Sequence, residues 1–363
     1  MGGRRRVGGA AALCLLLAGC RGSAPERIGV VGEGLTVWGD DPAVFAGDAL
    51  VLLSDSTPVV HLFRDGVHER AWGGIGTGPA ELQVPFAVAV DGGRVLVADA
   101  QARKIVSFDT VGRVLAVRPT PFRIRRLQVA GRDTLVVPLE FGTGAERVLR
   151  LRGESTDTLL SFGIRRIRLT APGSPSLTLY PPFAPVPLVA GLADGRVAFW
   201  DGREPDVRVL DRHGSTVRRL ALPPERRPVT AAERAAWFET RIPRGPPGRA
   251  DIFGALRDRA RTEVRFPTHH PPASALLPDP GVGVWVQRAP ETGGALWSWL
   301  GPAGERARLR LPPRARLLAV GRTAVAVEVR SPDGERRVEL LRKPRPGPAS
   351  RLRELWHSIR APR

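Results

Sequence analysis

The chain has 363 residues, enough for one large domain, and 42% of them are hydrophobic, enough to fill a packed core. Gly (41) and Pro (35) are abundant and spread between short apolar runs, which argues against a helical bundle or a disordered chain and for an all-β fold with many turns. The net charge of +19 is almost wholly arginine, scattered among apolar residues, so it reads as a basic solvated surface and not as a nucleic-acid footprint.

The only two cysteines, Cys14 and Cys20, fall in the first twenty residues, so the folded part has no disulfide framework. Met1 is followed by Arg4, Arg5 and Arg6, then by an apolar run from Val7 to Leu17. That run is shorter than the roughly 20 apolar residues a permanent span needs, and it has the layout of an export signal. The run ends in Leu17-Ala18-Gly19-Cys20, which resembles the bacterial lipobox of Leu, two small residues and Cys. The resemblance implies a signal peptide over 1–19, cleavage before Cys20, and diacylglycerol and acyl lipid on Cys20. Several acyl chains on one residue give stable membrane anchoring. Arg21, not Asp, follows the cysteine. This favours the outer membrane, facing the periplasm or the cell surface, over the inner one. Residues 20–27 read as a polar tether.

The next elements are short strands. Ala49–Leu53 and Val59–Phe63 lead to the turn Arg64-Asp65-Gly66. Phe86–Val90, Arg94–Ala98, Lys104–Phe108 and Val114–Val117 are separated by Asp91-Gly92-Gly93, by residues 99–103 and by a turn over Asp109 to Gly112. Apolar runs bounded by Gly and Asp mark an antiparallel meander. The unit returns at Leu127–Val129, Thr134–Val137 and Arg147–Arg152, and again at Leu188–Leu192, Arg196–Trp200, Val207–Leu210 and Thr216–Leu220. It returns at Ala273–Leu277, Gly283–Gln287, Leu296–Leu300 and Arg306–Leu311, and last at Arg316–Val320, Ala324–Val329 and Arg337–Leu341. Six such units, the first near 41–72 and the last near 314–342, predict a six-bladed β-propeller over 28–342. The isolated strand-like stretch Ile28–Trp38 is expected to supply the outer strand of the last blade and so close the ring.

The run Trp72-Gly73-Gly74-Ile75-Gly76-Thr77-Gly78-Pro79-Ala80-Glu81-Leu82-Gln83-Val84-Pro85 is similar to the Gly-x-Gly-Pro-Gly-Glu-Phe-x-x-Pro blade junction of NHL-repeat and related six-bladed propellers. The similarity continues through Asp91-Gly92, Val95–Asp99, Lys104-Ile105 and Phe108-Asp109 to Val117. Ala80 stands where that pattern has Gly, Leu82 where it has Phe, and Ala102 where it has Asn. The resemblance implies the fold and says little about activity.

A small helical insertion, 228–265, is predicted between blades four and five. Thr230-Ala231-Ala232-Glu233 is a capping box, which starts a helix over Ala231 to Arg241. A second helix is expected over Ala250–Glu263. Ala235, Phe238 and Ile242 share a helical face expected to pack on the propeller. Residues 343–363 read as a basic, Pro-rich tail in which Leu352–Ile359 fits a helical turn or two.

Chemistry-bearing motifs are few. Gly74-Ile75-Gly76-Thr77-Gly78 runs into Pro79 and has no βαβ context, so it is a blade junction and not a dinucleotide loop. Asp99 and Lys104 read as a structural pair across a strand turn, with Asp55, Glu140 and Asp201 at comparable blade positions. His269 and His270 precede the first strand of blade five and are the best candidates for a polar site at a channel mouth, although adjacent side chains on extended backbone diverge. His61, His68, His213 and His357 are dispersed, and Trp200, Trp285, Trp297 and Trp299 read as core between blades.

No catalytic set is recognisable, and none of the residues above is assigned a catalytic role; any metal is left open. No cofactor is expected beyond the lipid. These readings favour a monomeric, non-enzymatic binding or scaffold lipoprotein for an envelope protein, peptide or glycan, with nucleic acid set aside because the chain is exported. The alternative is a propeller hydrolase or lyase with a metal site at the channel mouth. Some six-bladed propellers are lactonases, amidating lyases or antibiotic lyases, and fold alone does not decide between the readings.

Overall fold

A computed structural model of the chain describes residues 25–344 apart from 32–34, 58, 140–144, 172–175, 225–226, 243–249, 282, 289–293 and 303. The signal segment, the lipobox, Cys20, Glu140 and the tail from residue 345 onward lie outside the described residues.

Strand β1 (Arg27–Val31) stands alone in sequence. Blade one is β2 (Ala43–Ala46), β3 (Ala49–Leu53), β4 (Val60–Arg64) and β5 (Val67–Trp72). Blade two is β6 (Pro85–Asp91), β7 (Arg94–Asp99), β8 (Lys104–Phe108) and β9 (Val114–Pro119). Blade three is β10 (Ile124–Ala130), β11 (Asp133–Pro138), β12 (Ala145–Arg152) and β13 (Ser155–Gly163). A hairpin, β14 (Ile167–Leu169) and β15 (Leu177–Leu179), precedes blade four, made of β16 (Leu188–Gly191), β17 (Val197–Trp200), β18 (Asp206–Leu210) and β19 (Thr216–Ala221). Helices α1 (Ala231–Arg241) and α2 (Ala250–Glu263) come next in the chain. Blade five is β20 (Ala275–Pro278), β21 (Val284–Gln287), β22 (Leu296–Gly301) and β23 (Gly304–Arg310). Blade six is β24 (Ala315–Val320), β25 (Ala324–Arg330) and β26 (Arg336–Arg342), with β1 as its fourth strand.

Every strand pairing within the blades is antiparallel, and strand order follows chain order in blades one to five, whereas in blade six β1 lies outside β26. Strands β3, β17 and β22 are buried along their whole length, which is why their sequences are near-continuous apolar runs and do not alternate. The six main cores each lie between two neighbouring blades, such as Val51 and Leu62 against Val88 and Val97, or Leu50 and Phe63 against Leu318 and Ala326. First strands touch in a closed cycle, β2 to β6, β10, β16, β20, β24 and back to β2. The protein is a six-bladed β-propeller.

The seam is a hydrogen-bonded ladder. Arg27 lies opposite Leu341 and Val31 opposite Val338. Val31 is fully buried in the core between blades six and one. The Arg342 amide donates to the Glu26 carbonyl at 2.8 Å. Its guanidinium forks onto the Glu26 carboxylate at 2.5 and 3.2 Å and holds that carboxyl below its ordinary range. The first part of the expected stretch, as far as Val31, is the paired part that the structure describes. Residues 32–34 lie outside the described residues, and Val37 makes a separate bridge to Ser54.

Three expectations need correction. Blade three has its fourth strand, β13, whose first half is polar and exposed, so it lacks an apolar signal. The hairpin β14–β15 is an element the sequence did not announce. The helices pack against that hairpin instead of the blades, through Leu169, Ile242, Leu256 and Ala260, with Trp237, Phe238 and Phe266 alongside; Ala235 is exposed. The capping box at Thr230 is formed in full.

Because Val31 faces the core and Ile28 is 43% exposed, Val31→Asp should cost more than about 3 kcal/mol while Ile28→Asp costs less than about 0.5 kcal/mol. Urea unfolding of the two variants measures both.

Candidate functional site

The propeller has two mouths. The upper one lies where the first strands begin and the lower one where they end. The upper mouth holds a cavity of about 410 Å³, lined by Asp40, Asp41, Arg125, Arg126, Glu146 and Arg316, with Tyr180 and Trp297 beside them.

Local backbone features put these groups there. Gly39 has φ +109°, and a Cβ on it would lie 2.1 Å from the Phe86 carbonyl oxygen. Only glycine permits this close approach, in which the Asp40 amide donates to Phe86 O at 3.1 Å and Asp41 bridges to Ala87. The chain is thereby laid across blade two just before β2. In blade three a bulge between Ile124 and Arg126 adds one residue to β10. Successive strand residues normally face opposite ways, and the bulge brings both Arg125 and Arg126 to the cavity.

The charges are matched in forks. Arg126 grips Asp41 with three contacts of 3.0–3.2 Å, joining blade three to blade one. Arg125 forks onto Glu146 at 3.1 and 2.8 Å, and its Nε lies 3.6 Å from Asp40. Glu146 is 5% exposed and also accepts from the Tyr180 hydroxyl at 2.8 Å, with Arg166 at 3.8 Å. Arg166 lies over the Tyr180 ring, its guanidinium carbon 5.6 Å from the centroid. Burial and the Glu146 carboxylate push the Tyr180 phenol up. Burial also pushes the Asp40 carboxyl up, and Asp41 adds to this; Arg125 opposes both without cancelling them. Arg316 donates to the carbonyls of Gly39 and Asp40 at 3.3 and 2.8 Å, and its side chain is exposed. The indole N–H of buried Trp297 has no hydrogen-bond partner among the described residues.

The lower mouth holds a cavity of about 390 Å³ lined by strand ends and turns. Asp279 there accepts from Trp285 Nε1 at 2.9 Å and pairs with Lys343 at 2.6 Å, while Lys343 also donates to Gly321 O at 3.0 Å. Asp41, Leu277 and Leu318 line both cavities.

The residues singled out in the sequence lie elsewhere. Neither His269 nor His270 lines either mouth. Their side chains diverge. His269 is exposed beside Thr268, and His270 is buried against Phe183, 3.2 Å from Glu233 and within reach of Arg227. Asp99 is fully buried and accepts from the amides of Gln83, Val84, Gln101 and Ala102, while Lys104 donates to the carbonyls of Gly78 and Pro79. The pair thus braces the junction between blades one and two. Asp201 makes the equivalent turn contacts with Arg203 and Glu204. Trp200, Trp285, Trp297 and Trp299 are core residues. Sequence reasoning missed the upper-mouth cluster. Its signals were two charged doublets, Asp40-Asp41 and Arg125-Arg126, placed where first strands start, and the chain's only tyrosine. Among the described residues no three His, Cys, Asp or Glu side chains gather to hold a metal.

No protein-family model matches the chain, and no curated protein matches it in sequence. The fold is similar to that of several solved structures. A Bacteroides fragilis protein described as exported is 10% identical, with 88% of this chain and 95% of that one covered and a TM-score of 0.47. A gluconolactonase from Xanthomonas campestris is 13% identical, with 89% and 96% covered and a TM-score of 0.44. An inactive variant of virginiamycin B lyase from Staphylococcus aureus is 9% identical, with 88% and 96% covered and a TM-score of 0.40. At such identities the likeness concerns the path of the backbone only.

Glu146→Gln leaves Arg125 and Arg166 facing an uncharged amide. It should destabilise the protein by about 3 kcal/mol, read as a lower urea midpoint at unchanged slope. A second outcome concerns Glu233. Burial raises its carboxyl pKa, but hydrogen bonds from Arg227, the Thr230 amide, His270 and the Thr230 hydroxyl outweigh this and hold it well below the ordinary range. A depressed carboxyl stabilises the fold above its unfolded value, and that contribution is lost as pH falls. Between neutral pH and about pH 3, amide protection in α1 should fall more in the parent than in Glu233→Gln.

Proposed function

We propose that the chain is a cell-envelope lipoprotein, anchored through lipid on Cys20, whose upper mouth binds an acceptor-rich peptide or glycan of the envelope without turning it over. The observation that carries this reading is the state of the mouth charges. Asp41 and Glu146 are already gripped by arginine forks, and Asp40 lies beside Arg125. What is left over is donor capacity on the exposed Arg316 guanidinium, which holds the carbonyls of Gly39 and Asp40. Such a surface suits hydrogen-bonded recognition of carboxylate, carbonyl or sugar oxygens. Carboxylates held this way have few lone pairs free for a metal or for proton transfer.

The lipobox supports the anchor. Arg21 after Cys20 favours the outer membrane. A hydrolase or lyase is the second reading. It is favoured by Asp40, a raised carboxyl next to Asp41 in a cavity, which is the arrangement of a proton donor.

Growth with an acyl-chain analogue should label the parent and not Cys20→Ser; equal labelling would remove the anchor. Binding of envelope peptides and glycans, followed by calorimetry, should weaken about tenfold in Arg316→Ala, the loss expected for one charged hydrogen bond. Turnover of lactones or cyclic esters that disappears in Asp40→Asn would establish the enzyme reading instead.

A further inference from the structure

Blade one carries two histidines that neither mouth uses, His61 on β4 and His68 on β5. His68 lies opposite Phe63, and the bulge between Leu62 and Phe63 leaves Glu69 as the extra residue of β5. His61 is two residues before Phe63 and shares its face, which makes it the diagonal neighbour of His68. Both imidazoles pack on the Phe63 ring, with centroids 6.3 and 5.0 Å away, and Phe63 belongs to the core between blades six and one. His61 is 7% exposed, while His68 is open to solvent. His61 Nδ1 lies 3.3 Å from His68 Nε2.

The neighbours fix the His61 proton. The Ser54 hydroxyl donates its one hydrogen to the Ser56 carbonyl at 2.8 Å. Its oxygen is left to accept from His61 Nε2–H, at 3.2 Å. A neutral imidazole has one N–H, so His61 Nδ1 carries a lone pair, and that nitrogen faces His68. Metal-binding histidines are set up in this way, with the other ring nitrogen donating to an acceptor that orients the ring. The gap also bears on the ion. Two nitrogens about 2.05 Å from one ion are about 3.3 Å apart in tetrahedral geometry and about 2.9 Å apart in square-planar geometry. The rings are inclined by 50° with centroids 5.5 Å apart, so a small rotation of the exposed His68 aims both lone pairs at one point.

We propose that His61 and His68 chelate one zinc-like divalent cation across the two outer strands of blade one, with water completing a tetrahedral shell. Imidazole suits such an ion, whereas magnesium and calcium take oxygen ligands. The ion clips β4 to β5 beside the seam of the ring: a Cβ on Gly29 of β1 would lie 3.8 Å from the Cα of Gly66, in the turn that joins the two strands. The site stands apart from the upper mouth and depends on neither the lipid anchor nor the ligand proposed there.

The test uses the chain from residue 20 onward, without a histidine tag and with Cys20→Ser, so that no thiolate competes. Calorimetric titration with zinc chloride should show one site per chain. Ser54→Ala removes the acceptor that fixes the His61 tautomer and should weaken that site about tenfold. His68→Asn removes a ligand outright and should weaken it further; His68 is exposed, so this variant keeps its fold. Cobalt(II) in place of zinc should give the strong visible absorption of a tetrahedral ion in the parent and not in His68→Asn. Saturating zinc should raise the unfolding temperature of the parent and leave that of His68→Asn where it was, since an ion held only by the folded state stabilises it. Magnesium should not raise it in either protein. Absence of one-to-one zinc binding, or an affinity unchanged in His68→Asn, overturns the proposal and leaves the two rings as a hydrogen-bonded pair.

Discussion

The antiparallel ladder between β1 and β26 is the contact on which the other features depend. A propeller core is divided among blade interfaces, and none of them is complete until the last blade meets the first. Val31 fills the interface between blades six and one from the far side of the chain, next to Val338 and Leu340. Without β1, β26 would be an unpaired edge carrying apolar residues, the kind of surface that recruits other strands. Only when the ring is shut do the first strands form a closed cycle, and only then does the channel have two mouths.

The upper mouth is where the protein departs from simple packing. Its charges could have been replaced by apolar side chains with little loss of stability, since buried ion pairs rarely outweigh their desolvation. They instead connect distant blades: Arg126 of blade three reaches Asp41 of blade one, and Arg316 of blade six holds the carbonyls that precede Asp41. These bonds fix the arginines at the rim in one geometry, the pre-organisation that the proposed binding role would draw on.

Much of the architecture was legible because propeller strands obey local rules. Gly and Asp punctuate the turns, and doubly buried strands such as β3 are written as unbroken apolar runs. The helix start at Thr230 was legible for the same reason, since a capping box is a contact among four consecutive residues. What escaped was set by distant partners. The polar half of β13 is a strand because it pairs with β12, and the hairpin β14–β15 exists because α1 and α2 cover it. The mouth escaped for a subtler reason. Arg125 and Arg126 look like an unremarkable strand pair until a bulge turns both to one side, and Glu146, on β12, finds Arg125, on β10, only across β11. His270 drew attention by residue type, and its burial beside Glu233 belongs to the helical insertion.

The direction of β1 also has a mechanical meaning. Tension applied upstream of Glu26, while the upper mouth is held, pulls β1 along its own axis and slides it past β26. The bonds between Arg27–Val31 and Val338–Leu341 are then loaded together, in shear, and do not unzip one at a time. The fastening that closes the ring is therefore aligned to resist a tug on the amino-terminal leash, and the Glu26–Arg342 fork at the loaded end is the first to feel it.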